Sequence, residues 1–104
     1  MNIKEIIYDY YLGWVNNDRE KVRSLLDPNL KFLSPKDSFE TADEFLEKCW
    51  KYAEGFDVFN VQHEVYGDDC CYVVYGSIDF CCGDLLKVRD GKIYEIYVSF
   101  NPVR

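Results

Sequence analysis

From Asp57 onward the hydrophobic period of this chain drops from about 3.6 residues to 2, and that switch constrains the fold more than any other feature. Before it, Ile3, Ile6, Ile7, Tyr10 and Trp14 recur at helical spacing behind Asn2, with Glu5 in capping-box position. Asn16-Asn17-Asp18 breaks the pattern. Asp18 caps a shorter helix carrying Val22, Leu25 and Leu26, which Pro28 closes. Leu30-Lys31-Phe32-Leu33 reads as a short strand ending at Ser34-Pro35. Thr41 and Glu44 form a second capping box, opening a helix through Phe45, Leu46, Cys49, Trp50 and Ala53 with Gly55 as its stop.

After the switch, Val58 to Tyr66, Cys70 to about Phe80, Asp84 to Arg89 and Lys92 to Phe100 alternate as strands. Gly67-Asp68-Asp69 and Asp90-Gly91 are hairpin turns, with another turn expected near Cys81-Cys82-Gly83. Helices followed by an antiparallel meander predict one α+β domain over residues 1–104, with the helices against one sheet face. Alternation places Tyr94, Ile96, Val98 and Phe100 on one side of the last strand and Tyr97 on the other. A sheet whose second face is also partly apolar predicts a homodimer through that outer face.

The chain carries 19 acids against 12 bases, a net charge of −7, and its Lys and Arg form no sequence cluster. Phosphate backbones and anionic membrane surfaces are therefore poor partners, and neither nucleic acid nor membrane is expected. Ile3, Ile6 and Ile7 are interrupted by Lys4 and Glu5, and no apolar run approaches the ~20 residues that span a bilayer. The expectation is a cytoplasmic protein. Nine Tyr and seven Phe exceed what a minimal core needs, so a lined pocket or an adhesive interface is expected. Of the five cysteines, Cys70-Cys71 and Cys81-Cys82 are adjacent pairs whose side chains alternate across a strand. If one strand joins them they lie on the order of 30 Å apart, so packed thiols are expected and no metal, unless a tight hairpin brings the pairs together. No Gly-rich phosphate loop is present, and no cofactor is implied.

Asp84 is the best lead to function. It shares a strand face with Leu86 and Val88, and an acid on an apolar face is costly to bury unless something uses or pairs it. The plainer reading is that Asp84, following Gly83, ends a hairpin.

Tyr10-Tyr11-Leu12-Gly13-Trp14, then Asn17-Asp18 and Val22 with Leu25-Leu26, resembles the opening of the nuclear-transport-factor-2-like (NTF2-like) superfamily, in particular its SnoaL-like polyketide cyclase branch. Val88-Arg89-Asp90-Gly91-Lys92-Ile93 with Tyr94-Glu95-Ile96 is similar to the last hairpin of the same superfamily. The resemblance implies a cystatin-like cone, a strongly curved and mostly antiparallel sheet wrapped around N-terminal helices, with an apolar pocket at the wide end. It specifies the fold well and the function poorly, because that fold hosts isomerases, dehydratases, cyclases, hydrolases and non-catalytic binders.

The ketosteroid isomerase branch uses an Asp base with an oxyanion hole made of a Tyr and a protonated Asp. By resemblance the Tyr falls on Tyr10, the protonated Asp on Asp84, and the base on Ser34, which cannot take a carbon-bound proton unaided. His63, on the same strand face as Phe59, Val61 and Val65, is then either a substitute base or a hydrogen-bonded structural residue. Tyr10 is either a donor or plain core, and Trp14 and Trp50 either wall the cavity or only pack. Ser34 would orient a ligand. Leu86, Val88, Ile96, Val98 and Phe100 would supply apolar lining that keeps Asp84 protonated.

The expectation is a hydrophobic small molecule bound in an apolar pocket, with isomerase, cyclase or dehydratase chemistry on a carbonyl. The alternative is a non-catalytic dimeric carrier or interaction module of the same fold, marked by exposed Tyr66, Tyr72, Tyr75 or Tyr97.

Overall fold

The structure, a computed structural model, describes residues 1–53, 60–76 and 80–102. Helix α1 (Ile3–Val15) starts from a complete Asn2–Glu5 capping box, and Asp18 caps α2 (Arg19–Ser24) by accepting from the Lys21 backbone N–H. Strand β1 (Leu26–Leu33) and the two-residue β2 (Ser38–Phe39) precede α3 (Ala42–Cys49), whose cap is Thr41. A 3-10 turn continues over residues 50–53. The meander comprises β3 (Asn60–Tyr66), β4 (Cys70–Gly76), β5 (Phe80–Arg89) and β6 (Lys92–Pro102).

The sheet order is β2-β1-β6-β5-β4-β3, antiparallel throughout except where β1 lies parallel to β6. It curves around the helices without closing, which is the expected α+β cone. Ile6, Ile7, Val22, Leu26, Leu30, Leu46, Leu86, Ile93 and Ile96 fill the space between helices and sheet. At roughly 25 cal/mol per Å2 of apolar surface, their burial is the main force holding the layers together.

Gly13 is where the two first helices meet most closely: a Cβ there would lie 2.6 Å from Val22 Cγ2. Gly13→Ala should cost about 1–3 kcal/mol by overpacking, although alanine is the better helix former. Urea unfolding checks this; an unchanged or raised midpoint would mean that α2 moves aside freely.

Several elements depart from the local pattern. Helix α2 stops at Ser24 instead of continuing to Pro28, because the Ile93 N–H bonds the Leu25 carbonyl and Leu26 pairs with Ile93. Sheet pairing with β6 thus takes residues 26–29 into β1, with Pro28 inside an irregular stretch of the ladder. Cys81, Cys82 and Gly83 do not form a turn: they lie inside β5 opposite Gly76, Tyr75 and Val74. Residues 54–59 and 77–79 fall outside the described residues, and with them Gly55, Phe59 and the ends of two expected strands.

Two bulges also break the alternation. One sits in β3 between Val61 and His63. The other sits in β6, where Val88 pairs with Ile93 and Lys87 with Glu95, leaving Tyr94 extra. Tyr94 therefore does not share the face of Ile96. Its ring lies 4.1 Å from the Arg89 guanidinium, on the side of the sheet that carries Lys87.

Candidate functional site

The described residues hold one buried charged or polar side chain, Asp84, at 4% exposure. It points from the concave face of β5 toward α1, between Val73 of β4 and Val98 of β6, its cross-strand neighbours. Tyr11 Oη donates to Asp84 Oδ2 at 2.6 Å, and Tyr75 Oη donates to Oδ1 at 3.2 Å. The salt bridges found among the described residues are Lys21–Asp9, Arg23–Asp43 and Lys87–Glu95, so no cation balances Asp84.

Burial pushes the Asp84 carboxyl up to about 7, against the opposing pull of the Tyr11 and Tyr75 hydrogen bonds. Burial, followed by the nearby Asp84 charge, raises the phenols of Tyr10, Tyr11 and Tyr75 above the usual tyrosine value, so all three are neutral donors at physiological pH. Near pH 7 the cluster interconverts between an acid that can give up a proton and a carboxylate held by two phenols. Cys82, half-buried on the same face, extends the array through its hydrogen bond with Tyr75. Its thiol is raised chiefly by burial and next by Asp84.

The donor beside Asp84 is thus Tyr11, which sequence reasoning did not single out. Tyr10 is also buried, its ring 5.0 Å from that of Tyr11 and 6.3 Å from that of Trp14. Consecutive helical residues are about 100° apart, and both lie on the buried stripe, so only the docking of α1 on the sheet decides which hydroxyl meets the acid. Tyr75, expected among the exposed tyrosines of an interaction surface, is the second donor instead. It lies on the concave face because it pairs with Cys82, two residues before Asp84, and it is the more accessible of the two donors.

His63 does not join the cluster. It pairs with Val74, one residue along from the Val73–Asp84 pair, and so stands exposed on the opposite, outer face of the sheet. The β3 bulge puts it there, separating it from the face of Val61, which pairs with Tyr75. Ser34 is also occupied elsewhere: its Oγ accepts from the Lys36 and Asp37 backbone N–H groups in the turn after β1.

Leu86 and Ile96, at 0% and 1% exposure, are sealed into the core and offer a ligand no surface. Val88 and Val98 pack at its margin, and Phe100, beside Cys82, is 37% exposed. Trp14 and Trp50 lie with ring centroids 4.5 Å apart, Trp50 half-buried at the rim.

Tyr11→Phe should raise the Asp84 carboxyl further, since it removes a donor that favours the charged form. It should also cost about 1–2 kcal/mol at pH 8. Carboxyl-carbon NMR checks the first effect and urea unfolding the second; an unmoved Asp84 titration would mean that Tyr75 alone sets the acid.

All five cysteines are free thiols. Strands β4 and β5, which carry the two pairs, do lie antiparallel side by side, but Cys70 faces Lys87 at one end while Cys81 faces Gly76 at the other, about 20 Å along the strands. Among the described residues no group of three His, Cys, Asp or Glu side chains could hold a metal, and no helix is long and apolar enough to cross a membrane.

Neither a protein-family model nor a curated protein sequence matches the chain. Solved structures do. A cystatin-like-fold protein from Silicibacter pomeroyi superposes with a TM-score of 0.82 at 15% identity, covering 99% of this chain and 78% of its own. An NTF2-like protein of unknown function from Cytophaga hutchinsonii gives 0.74 at 13%, covering 94% and 88%. The chain has the NTF2-like, cystatin-like fold. A de novo designed protein with a curved β-sheet matches this NTF2-like fold equally well, with a TM-score of 0.81 at 15% identity over 96% of this chain and 85% of its own. The curved sheet can therefore be specified apart from any natural function.

Proposed function

We propose that this NTF2-like protein is a SnoaL-like binder of an apolar, carbonyl-bearing small molecule, which approaches Asp84 from the side of Tyr75. The observation that carries the reading is a buried carboxyl with two phenol donors and no cation among the described residues, pushed up to about 7 so that a protonated share persists at physiological pH. Such an acid gives a strong hydrogen bond to a carbonyl oxygen and stabilises negative charge developing there. Isomerase, cyclase or dehydratase chemistry is the class of reaction this donor would assist. Asp84 would be the acid, Tyr75 the second donor, and Tyr11 the residue that orients Asp84.

A specific observation favours the non-catalytic version of the same reading: among the described residues no base stands beside Asp84, because His63 is on the other face and Ser34 is in its turn. Acid assistance without proton abstraction suits a carrier. The outer face supports a dimer in either case. Tyr72 and Val65, at 40% and 65% exposure, pair across β3 and β4, with Val74 and Leu85 beside them. Val65→Lys should convert a dimer to a monomer by light scattering, and a monomeric parent would remove that proposal.

The binding test is an NMR titration with aromatic and alicyclic ketones and the matching hydrocarbons. Ketones should perturb Asp84, Tyr75 and Val98, and Asp84→Asn or Tyr75→Phe should weaken them about tenfold, the loss of one buried hydrogen bond. Equal binding of ketone and hydrocarbon, or affinities indifferent to both substitutions, would overturn the proposal. Turnover of a bound ketone would then decide between enzyme and carrier.

A further inference from the structure

A buried acid that gives up a proton needs a route by which the proton travels. Asp84 is 4% exposed, and most of the groups around it lead nowhere. Its neighbours Val73, Leu86 and Val98 carry no exchangeable side-chain proton. Cys71 on β4 is buried, and Tyr10 and Tyr11 are sealed between α1 and the sheet.

Tyr75 and Cys82 differ. They pair directly across β4 and β5, both are half-buried, and the exposed Phe100 stands on the other side of Cys82. Tyr75 Oη lies 3.2 Å from Asp84 Oδ1, and the same phenol is hydrogen-bonded to the Cys82 thiol. Carboxyl, phenol and thiol can each give and take a proton, so they form one chain from the buried acid to the rim of the concave face.

The direction of that chain depends on the charge of Asp84. An ionised carboxylate only accepts, so Tyr75 donates to it and is left to accept from the Cys82 S–H. A protonated Asp84 donates to Tyr75 Oη, and Tyr75 donates to Cys82 Sγ. One concerted shift connects the two states. The Asp84 proton passes to Tyr75 Oη, the Tyr75 proton to Cys82 Sγ, and the Cys82 proton to water. One proton leaves, Tyr75 and Cys82 end neutral, and the reverse shift restores the acid. Burial raises the titrating groups that face Asp84, namely Tyr10, Tyr11, Cys71, Tyr75 and Cys82, so none of them holds the charge in its place near pH 7.

We propose that Tyr75 and Cys82 form the proton relay between Asp84 and solvent, with Cys82 as its outer end. Its use, returning a proton to Asp84 after each transfer to a carbonyl, rests on the carbonyl-binding reading. The relay itself is measured in the ligand-free protein, so the failure of one is told apart from the failure of the other.

The test is carbon relaxation dispersion at the Asp84 carboxyl in dilute buffer near pH 7, which reads the rate of proton exchange separately from the titration midpoint. Cys82→Val suits a strand and has no side-chain proton to pass, and it should slow exchange about tenfold. Cys82→Ala stands in if the larger side chain is not tolerated. Cys82→Ser, which keeps a proton, should restore the parent rate. Tyr75→Phe should slow exchange as well, and adding Cys82→Val to it should slow it no further, because the two residues serve one path. A parent rate in Cys82→Val or in Tyr75→Phe would overturn the proposal, the proton then leaving by another way. So would equal slowing in Cys82→Ser and Cys82→Val, which would mark an effect of packing.

Discussion

Raising the pH from 5 to 8 should lower the stability of this protein by about 3 kcal/mol through Asp84 alone, and Asp84→Asn should abolish that component. The sign follows from the direction of the shift. The folded-state value, about 7, lies above the value of 3.8 for an unperturbed Asp. Between those two values the folded chain holds a proton that the unfolded chain has released. The stabilisation is complete below the unfolded value and is lost as the pH rises through the folded one.

The full difference is about 4 kcal/mol, because each pKa unit is worth about 1.4 kcal/mol. Tyr10, Tyr11, Tyr75 and Cys71, the titratable groups near Asp84 on α1 and β4, together with Cys82 on β5, are all raised in the folded state as well. Their contributions have the same sign but enter at higher pH, so measurements below about pH 8 isolate the carboxyl. The check is urea unfolding of parent and Asp84→Asn across this range, with the difference between them plotted against pH. Asn keeps the size of the side chain and one acceptor while removing the charge, so the variant should be the more stable protein at pH 8. A difference independent of pH would show that Asp84 is ionised throughout, and the donor role proposed for it would fall with it.

Trp14→Ala should cost about 3–5 kcal/mol, a large share of the 5–15 kcal/mol that holds a domain of this size together. Trp14 is the point where three parts of the core meet. Its ring lies 6.3 Å from Tyr10 on its own helix, 6.0 Å from Phe45 on α3 and 4.5 Å from Trp50 in the following turn. Phe45 in turn stacks on Phe32 of β1 at 4.7 Å. Removing the indole leaves a cavity that the rigid strand β1 cannot close, and it takes away the aromatic contacts as well as the buried area. Trp14→Phe should recover much of the loss. Thermal and urea unfolding of both variants checks this, and a cost for Trp14→Ala near 1 kcal/mol would mean that the helices collapse to refill the space.

The helices and hairpins were legible because their signals are local. Asn2 with Glu5 and Thr41 with Glu44 announce helix starts, since a side chain three residues away satisfies the backbone N–H groups that a helix start leaves bare. Asp90 and Gly91 announce the last hairpin, because both take positive φ, 54° and 77°, which few other residues tolerate. Burial of Asp84 was legible for a similar reason: alternation ties its face to that of Leu86.

What the sequence determined by itself is therefore the α+β class, the order of its elements and the one acid placed on an apolar face. Which groups meet that acid was decided only by tertiary structure. The approach of α1 to β5 chose Tyr11 over its neighbour Tyr10. The pairing of Tyr75 with Cys82 brought in a second phenol, and one extra residue in β3 turned His63 to the outer face. Propensity, capping and alternation act within a few residues. Docking angles and bulges are set by how whole faces pack, and no local pattern records them.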